Sequence, residues 1–487
     1  MGRGFPNQPL RRFAPATSHK HDGDDYPTLT SRIPTPDIKQ VNISLDFPTS
    51  PKLSYYFVKS NKPYYLCDTI EVSIEARNAK NESKVYGGDF FFAWIHALRA
   101  SAAADKIIDH FNGTYTAKFR LHWAGQVKII IQLVHSAEAV DVMKRIRDNF
   151  PARVVYGAEF YAGEHTTSVK TPCYIATDMY INPKEKFANM TFCNFTDDRT
   201  SFPWFCVKPK MLSCDTYFQH TSTWDYEYIG DLISEDEIRL ISGPNHGVAG
   251  FYYKDVWHSL VCHNRDDNLR LPEITKCLQN HTLYFLGDST IRQWYEHFAR
   301  FILKESKVEK LHAMSGLGPN MAVDETHGIH LKYNWHGYPV KVHVHKALVK
   351  DIEYIPNRID DIESDKKVVV FITIWAHFSG TSLDYYRNRL YKIKDSIQRL
   401  QSRNAYARVL IKSANTIDYW GNRNCTPWYY WSLDQVMREV MSGIDNVTII
   451  DVWDMTIGHH SGYRIHPNVD VIAQETDMAL SFLCSDD

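Results

Sequence analysis

Four apolar runs after His281 constrain the fold of this chain more than any other feature. They read TLYFLGD, KVVVFITIW, YARVLIKS and NVTIIDVWD, and polar residues bound each of them. Short runs rich in valine and isoleucine are typical of strands buried on both faces of a parallel sheet. Two sets of apolar residues at steps of three and four predict helices between the runs: Leu390, Ile393, Ile397 and Leu400, then Val436, Met437, Val440 and Met441. We therefore predict a doubly wound α/β domain over residues 281–487.

Residues 39–165 show a different pattern, the alternation of a sheet that is buried on one side. In NGTYTAKFRLHW, polar residues alternate with Tyr115, Ala117, Phe119, Leu121 and Trp123. Asn112-Gly113 supplies a turn before this strand, and AGQ supplies one after it. In VKIIIQLVH, one face then carries Val127, Ile129, Ile131 and Leu133. Several strands at this spacing predict a β-sandwich of immunoglobulin type.

Two further segments complete the expected organisation. Residues 1–38 carry six prolines and many polar residues, which predicts a disordered arm. Residues 166–280 are predicted to be an irregular connector tied by disulfides. Six of the nine cysteines lie in it: Cys173, Cys193, Cys206, Cys214, Cys262 and Cys277. Their pairing stays open, and an odd total leaves at least one cysteine outside intrachain pairs. Since no CxxC pair occurs, no metal site is predicted.

Composition excludes some classes of function and favours a compartment. The formal net charge is −2 and the chain has no basic stripe, which argues against a nucleic-acid partner. The chain also has no apolar run of 18 residues, so no membrane span is predicted. The N-terminus lacks the apolar region of a signal peptide. Eight N-x-S/T sequons nevertheless favour a secreted or Golgi-lumenal glycoprotein whose start is truncated: Asn42, Asn81, Asn112, Asn189, Asn194, Asn280, Asn424 and Asn446.

Ser289 stands where the first apolar run ends and a helical pattern begins, in LYFLGDSTIRQW. The first N–H groups of a helix have no partner within it, so they are able to hold an oxyanion beside a serine nucleophile. Gly287 would let the backbone turn tightly, and Asp288 would bond across the turn. The alternative is that Asp288 or Ser289 is an ordinary N-cap.

A serine nucleophile needs a base, and His466 in GYRIHPN is the best placed histidine. The alternative is that His466 is an ordinary histidine of a surface loop. It follows the last predicted strand, at the edge of the sheet where Ser289 is expected. Asp454 would orient its imidazole, with Asp451 as the rival and a loop cap as the alternative role for either. His377, at the end of ITIWAHF, falls at the same edge.

Several blocks in one order resemble the neurexophilin and PC-esterase domain family (NXPE). These are YFLGDSTIRQWYEHF, ITIWAHF, VLIKSANT and IIDVWDMTIGHHSGYRIHPN, preceded by YGGDFFFAW, FNGTYTAKFRLHWAGQVKIIIQLVHSAEAV and WFCVKPKMLSC. The likeness runs from about residue 40 to the end. It implies a neurexophilin-type immunoglobulin-like domain, a cysteine-rich connector and a PC-esterase domain related to the GDS(L)/SGNH hydrolases.

The resemblance also implies roles for residues. Ser289 would be the nucleophile, with Gly287 and Asp288 as the preceding residues of the same sequence motif. His466 would be the general base and acid. The oxyanion would be held by the backbone N–H of Ser289 and a neighbouring donor. His377 would be a polar contact. Arg292 would bind a carboxylate such as that of a sialic acid, or tie its helix to the sheet.

Two departures from the pattern bear on activity. The wider clan has an aspartate three residues before its histidine, where this chain has Tyr463, and WAHF puts Trp375 and Ala376 where relatives often have glycine and glutamine. The leading expectation is a serine acyl esterase or O-acetyltransferase acting on cell-surface glycans such as sialic acid. It needs no cofactor beyond an acyl donor such as acetyl-CoA in the transferase case. The alternative is an extracellular ligand or adhesion protein that binds a cell-surface receptor and carries a degenerate esterase fold.

Overall fold

The structure is a computed structural model that describes residues 47–60, 62–149, 154–163, 167–175, 190–224, 251–253, 256–258, 271–302, 307–310, 319–340, 347–364, 367–417, 425–459 and 464–484. The predicted arm at 1–38 lies outside these residues. So do Cys262, Tyr463 and three of the sequon asparagines, Asn42, Asn189 and Asn424.

The described elements are numbered in chain order. The strands are β1 Tyr55–Val58, β2 Thr69–Glu75, β3 Phe90–Ala97, β4 Ala100–Ala103, β5 Lys106–Asp109, β6 Thr114–Arg120, β7 Lys128–His135, β8 Val154–Ala162, β9 Thr167–Tyr174, β10 Phe192–Asn194, β11 Phe205–Val207, β12 Tyr217–Trp224, β13 Phe251–Tyr253, β14 Val256–His258, β15 His281–Gly287, β16 Lys307–Lys310, β17 Asn320–Asp324, β18 Ile329–Asn334, β19 Ala347–Leu348, β20 Lys367–Thr373, β21 Arg408–Lys412 and β22 Val447–Ile450. The helices are α1 Ala137–Asn149, α2 Leu271–Cys277, α3 Ser289–His297, α4 Ile355–Asp360, α5 Leu383–Arg403, α6 Pro427–Met441, α7 Trp453–Gly458 and α8 Val469–Leu483.

Two antiparallel sheets, formed by strands of the N-terminal region together with β13 and β14 from the segment at 166–280, face each other across one core. Their strand orders are β1-β2-β6-β5 and β14-β13-β4-β3-β7. The apolar face predicted for β6 is confirmed, since Tyr115, Ala117 and Phe119 are buried against residues of the other sheet. The alternation is incomplete, because Thr116 on the predicted polar face is buried as well. The turn between β5 and β6 needs Gly113, because a Cβ there would lie 2.1 Å from the carbonyl oxygen of Lys84. The immunoglobulin type of this sandwich stays a prediction.

The sequence prediction missed one helix in the same region. We predicted only β-structure up to residue 165, but α1 lies between β7 and β8. Its buried face, which includes Met143, packs against Trp428 and Tyr429 of α6. The Tyr429 hydroxyl donates to the carbonyl oxygen of Met143 at 3.2 Å. The helix therefore joins the N-terminal region to the C-terminal domain.

The segment at 166–280 has more regular structure than we predicted. Its strands β9 to β12 form a sheet with β8 and with β19 from the C-terminal domain, in the order β10-β11-β9-β8-β12-β19. Two disulfides tie these strands, Cys173–Cys206 and Cys193–Cys214, as the cysteine clustering predicted. Strands of three residues, such as β10 and β11, are too short to show alternation. The description of this segment as irregular was therefore wrong in its described part.

The C-terminal domain contains a seven-stranded sheet in the order β16-β17-β18-β15-β20-β21-β22. Strands β18, β15, β20, β21 and β22 are parallel, and β16 and β17 form an antiparallel edge. The four apolar runs are therefore neighbouring parallel strands, as predicted.

Helices cover both faces of this sheet. Phe371 of β20 packs on the side of α3 and α8, while the adjacent Ile372 packs on the side of α5 and α6. A third disulfide, Cys277–Cys484, joins α2 to the residue after α8. Within the described residues, no helix has both the length and the apolar character that crossing a membrane requires.

Candidate active site

Gly287 ends β15 in a position that only glycine fits. Its φ is +152°, and a Cβ would lie 1.9 Å from the carbonyl oxygen of Thr373 on the neighbouring strand β20. The next residue, Asp288, donates its backbone N–H to the same oxygen at 3.2 Å. The tight strand-to-helix turn that presents Ser289 therefore depends on backbone atoms in close contact.

Asp288 is the N-cap of α3 and is fully buried. Its Oδ1 accepts from the backbone N–H and the hydroxyl of Thr290, at 2.9 and 2.7 Å. Its Oδ2 accepts from the backbone N–H groups of Trp375 and Ala376, at 3.2 and 3.0 Å. Both carboxylate oxygens are thus used to join the turn to the loop after β20. The contacts fit the N-cap alternative, while a catalytic role for Asp288 stays a prediction.

Ser289 and His466 meet at this turn. The hydroxyl oxygen of Ser289, the first residue of α3, lies 2.7 Å from Nε2 of His466, across 177 residues of sequence. His466 sits in the loop before α8, whose N-cap is Asn468. The separation is within hydrogen-bond reach, which the hypothesis of a serine nucleophile and its base requires.

The surroundings of His466 favour its neutral form. Although the residue is exposed at the surface, the protein packed around its ring desolvates it and lowers its pKa. The carboxylate of Asp288 opposes this shift, whereas the guanidinium of Arg292 adds to it. A neutral imidazole is the form that accepts a proton from a hydroxyl.

The structure brings no orienting acid to His466 among the residues that it describes. Asp451 binds Nη2 of Arg438 at 2.8 Å and accepts from the backbone N–H of Trp453 at 3.2 Å. The side chain of Asp454, in α7, lies outside the described part of the chain. The assignment of Asp454 as the third catalytic residue therefore stays a prediction.

His377 has a partner that the sequence prediction missed. Its Nδ1 lies 2.7 Å from Nε2 of His336, and the ring of Trp335 stacks on it with centroids 5.5 Å apart. The two histidines follow β20 and β18, which flank β15, so they meet at the edge of the sheet where Ser289 stands. The alternation in IHLKYN was the signal that could have identified β18 and hence His336.

Arg292 lies on α3 one turn after the nucleophile position. Its side chain is 24 % exposed, and its Nε lies 3.5 Å from Oε1 of Glu296. This location keeps both predicted roles open, the binding of a carboxylate and the anchoring of the helix.

The departure at WAHF leaves the capping contacts intact. Trp375 turns its buried ring into the core, where it meets Tyr430 edge to face with centroids 4.8 Å apart. Its backbone N–H still donates to Asp288.

The five described sequon asparagines are Asn81, Asn112, Asn194, Asn280 and Asn446, and all are exposed. At Asn112, the side-chain oxygen accepts from the hydroxyl of Thr114 at 2.7 Å, within the sequon itself. Their modification stays a prediction.

Comparison with protein families matches both parts of the chain. The C-terminal domain model of NXPE family member 4-like proteins matches residues 257–484, which include Ser289 and His466. The neurexophilin model matches residues 55–237. The two matches follow one another in the order expected from the sequence blocks. The chain belongs to the neurexophilin and PC-esterase domain family.

Proposed function

We propose that this protein is a serine acyl esterase or O-acetyltransferase that acts on O-acyl groups of cell-surface glycans. The observation that carries the proposal is the 2.7 Å separation between Oγ of Ser289 and Nε2 of His466 at the start of α3. The C-terminal domain is accordingly a member of the SGNH-type hydrolases, and the two N-terminal sheets form an immunoglobulin-like module. Three disulfides and the exposed sequons support a secreted or Golgi-lumenal location.

The reaction begins when His466 takes the hydroxyl proton of Ser289 as the oxygen attacks the ester carbonyl. The new C–O bond gives a tetrahedral oxyanion, which the backbone N–H of Ser289 and a neighbouring donor stabilise. His466 then gives the proton to the leaving alcohol as the original ester bond breaks, and an acyl-enzyme remains on Ser289. A second hydroxyl, from water or from an acceptor sugar, repeats the same steps and releases the acyl group.

Hydrolysis and transfer share this acyl-enzyme and differ in what enters and leaves. An esterase takes an acylated glycan and water. A transferase takes a thioester donor such as acetyl-CoA and a sugar hydroxyl, and it must exclude water from the acyl-enzyme.

Arg292 is the side chain that supports an acidic sugar as the substrate. A guanidinium binds a carboxylate through two parallel hydrogen bonds, and Arg292 shares α3 with Ser289. We propose that it exchanges its ion pair with Glu296 for the carboxylate of a sialic acid.

A second function is favoured by one observation. Asp451 is held by Arg438, and among the described residues no carboxylate forms a hydrogen bond with His466. A dyad without an orienting acid works more slowly. The alternative is therefore an extracellular ligand or adhesion protein that binds a cell-surface receptor and has a degenerate esterase site.

The test is acyl release by the purified secreted protein, with p-nitrophenyl acetate and with an O-acetylated sialoglycan. Ser289→Ala is expected to abolish release. Ser382→Ala is the matched control, because Ser382 also begins a helix, where its hydroxyl caps α5. Equal background from the wild type and Ser289→Ala would exclude the esterase. Acetyl transfer from acetyl-CoA to a sialoglycan, measured with the same variants, then separates the transferase from the binding protein.

A further inference from the structure

Side-chain amides hold the loop of His466 on both sides of the histidine. Nδ2 of Asn415 donates to the carbonyl oxygen of Ile465 at 3.0 Å. Nε2 of Gln293 donates to the carbonyl oxygen of Pro467, also at 3.0 Å. The two amides come from different parts of the domain, since Asn415 follows β21 and Gln293 belongs to the helix that starts with Ser289.

Lys412 determines which way the amide of Asn415 faces. It is the last residue of β21 and is buried, as is Asn415. Its ammonium group donates to Oδ1 of Asn415. Because an ammonium group only donates, the amide must present its oxygen to Lys412, and its NH₂ group is left to face Ile465.

Glu475 connects the same lysine to α3, which starts at Ser289, and to α8, which follows His466. Its Oε2 lies 3.7 Å from Nζ of Lys412, and both side chains are fully buried. The same oxygen accepts from Nε1 of Trp294 on α3 at 2.6 Å. Glu475 belongs to α8, the helix that starts three residues after His466. The buried ion pair thus links β21, α3 and α8 at the dyad.

We propose that Asn415 and Gln293 are positioning residues that hold His466 against Ser289 through the backbone of its loop, with the Lys412–Glu475 pair fixing the Asn415 amide. The inference rests on the proposed function and deepens it. It accounts for how the imidazole is kept in place although Tyr463 occupies the position of the clan's aspartate.

The two amides of Asn415 and Gln293, here called the clamp, matter because the rate of proton transfer depends steeply on the position of His466. A misplacement of about 1 Å costs on the order of 10²-fold in rate. The loss of either amide frees one side of the loop while Ser289 and His466 themselves are unchanged. The expected signature is a lower kcat with KM nearly unchanged, since the amides do not touch the substrate.

The chain offers a matched control for each amide. Nδ2 of Asn404, which is also buried, donates to the carbonyl oxygen of Glu363 at 2.9 Å. Nε2 of Gln401 donates to the carbonyl oxygen of Asp445 at 2.7 Å. Asn404 and Gln401 lie at the end of α5, so they share the chemistry of the clamp but are far from it in the fold.

The experiment compares Asn415→Asp with Asn404→Asp, and Gln293→Met with Gln401→Met. An aspartate at 415 still accepts from Lys412 but cannot donate to Ile465. Urea unfolding of each variant checks that it is folded before its rates are compared. The readout is the rate at which a fluorophosphonate labels Ser289, measured by intact mass, together with kcat and KM for p-nitrophenyl acetate on the pH plateau. We expect Asn415→Asp and Gln293→Met to slow labelling and kcat by about 10- to 100-fold, and both controls to stay within about 2-fold of wild type.

The outcomes distinguish failure of the positioning roles of Asn415 and Gln293 from failure of the proposed enzyme activity. Labelling of the wild type but not of Ser289→Ala, with equal rates for clamp and control variants, would overturn the positioning inference alone. Absence of labelling in the folded wild type would contradict the proposed function, and the inference would fall with it.

Discussion

Asp288→Asn changes a single atom of the carboxylate that organises the Ser289 turn. The carboxylate accepts four hydrogen bonds, two at each oxygen, from Thr290 on one side and from Trp375 and Ala376 on the other. An asparagine has one acceptor oxygen, so its NH₂ group must face two donors on one side or the other.

The cost follows from the donors that lose their acceptor. If the oxygen faces Thr290, the buried N–H groups of Trp375 and Ala376 face an NH₂ group in place of the carboxylate oxygen, and the loss of each hydrogen bond costs about 1–3 kcal/mol. The expected loss in the free energy of unfolding is therefore roughly 2–6 kcal/mol. Since the turn also presents Ser289, we expect the labelling rate of the serine to fall as well.

The assay is equilibrium unfolding in urea, in which the slope of the unfolding free energy against urea concentration should be the same for the wild type and the variant. Asp197→Asn is the control. Asp197 likewise accepts from the N–H and hydroxyl of a threonine, Thr200, and joins a second segment through Asn357, but it lies outside the site. We expect Asp197→Asn to lower stability and leave labelling unchanged. A loss below about 1 kcal/mol for Asp288→Asn would refute the reasoning that both oxygens are needed.

Two further predictions concern pH and the third disulfide. Desolvation lowers the pKa of His466, so kcat/KM should fall only below about pH 6.5. Arg292→Met removes a cation that lowers this pKa, so the midpoint of the pH profile of kcat/KM should move up. Glu296→Gln removes an anion that raises it, so the midpoint should move down. Unchanged midpoints in both variants would contradict the assignment of His466 as the base. Loss of the Cys277–Cys484 disulfide, which spans 207 residues, should lower the free energy of unfolding by about 2–5 kcal/mol in denaturant while kcat stays within about 2-fold, and a stability equal to wild type would contradict it.

The parallel sheet and the proximity of Ser289 to His466 could be predicted from the sequence for the same physical reason. Strands buried on both faces carry continuous apolar runs, and parallel strands place all their carboxyl ends at one edge. Ser289 and His466 could therefore be paired across 177 residues, because both follow strands of that sheet.

What the sequence could not predict depends on contacts between distant segments. His336 was missed because β18 alternates apolar and polar residues instead of carrying a continuous apolar run. Lys412 and Asn415 look like an ordinary strand end, and only the fold brings Glu475 and Ile465 to them. The disulfide partners could not be predicted either, because their cysteines are 21 to 207 residues apart in sequence and meet only in the fold.

The most direct test of the central claim is to trap the acyl-enzyme. The protein is quenched in acid during turnover of p-nitrophenyl acetate, and its peptides are mapped by mass spectrometry. The account predicts one acetyl group on Ser289, absent from Ser289→Ala and greatly reduced in His466→Ala. Product release with Ser289 unmodified, or with the acetyl group on another side chain, would contradict it.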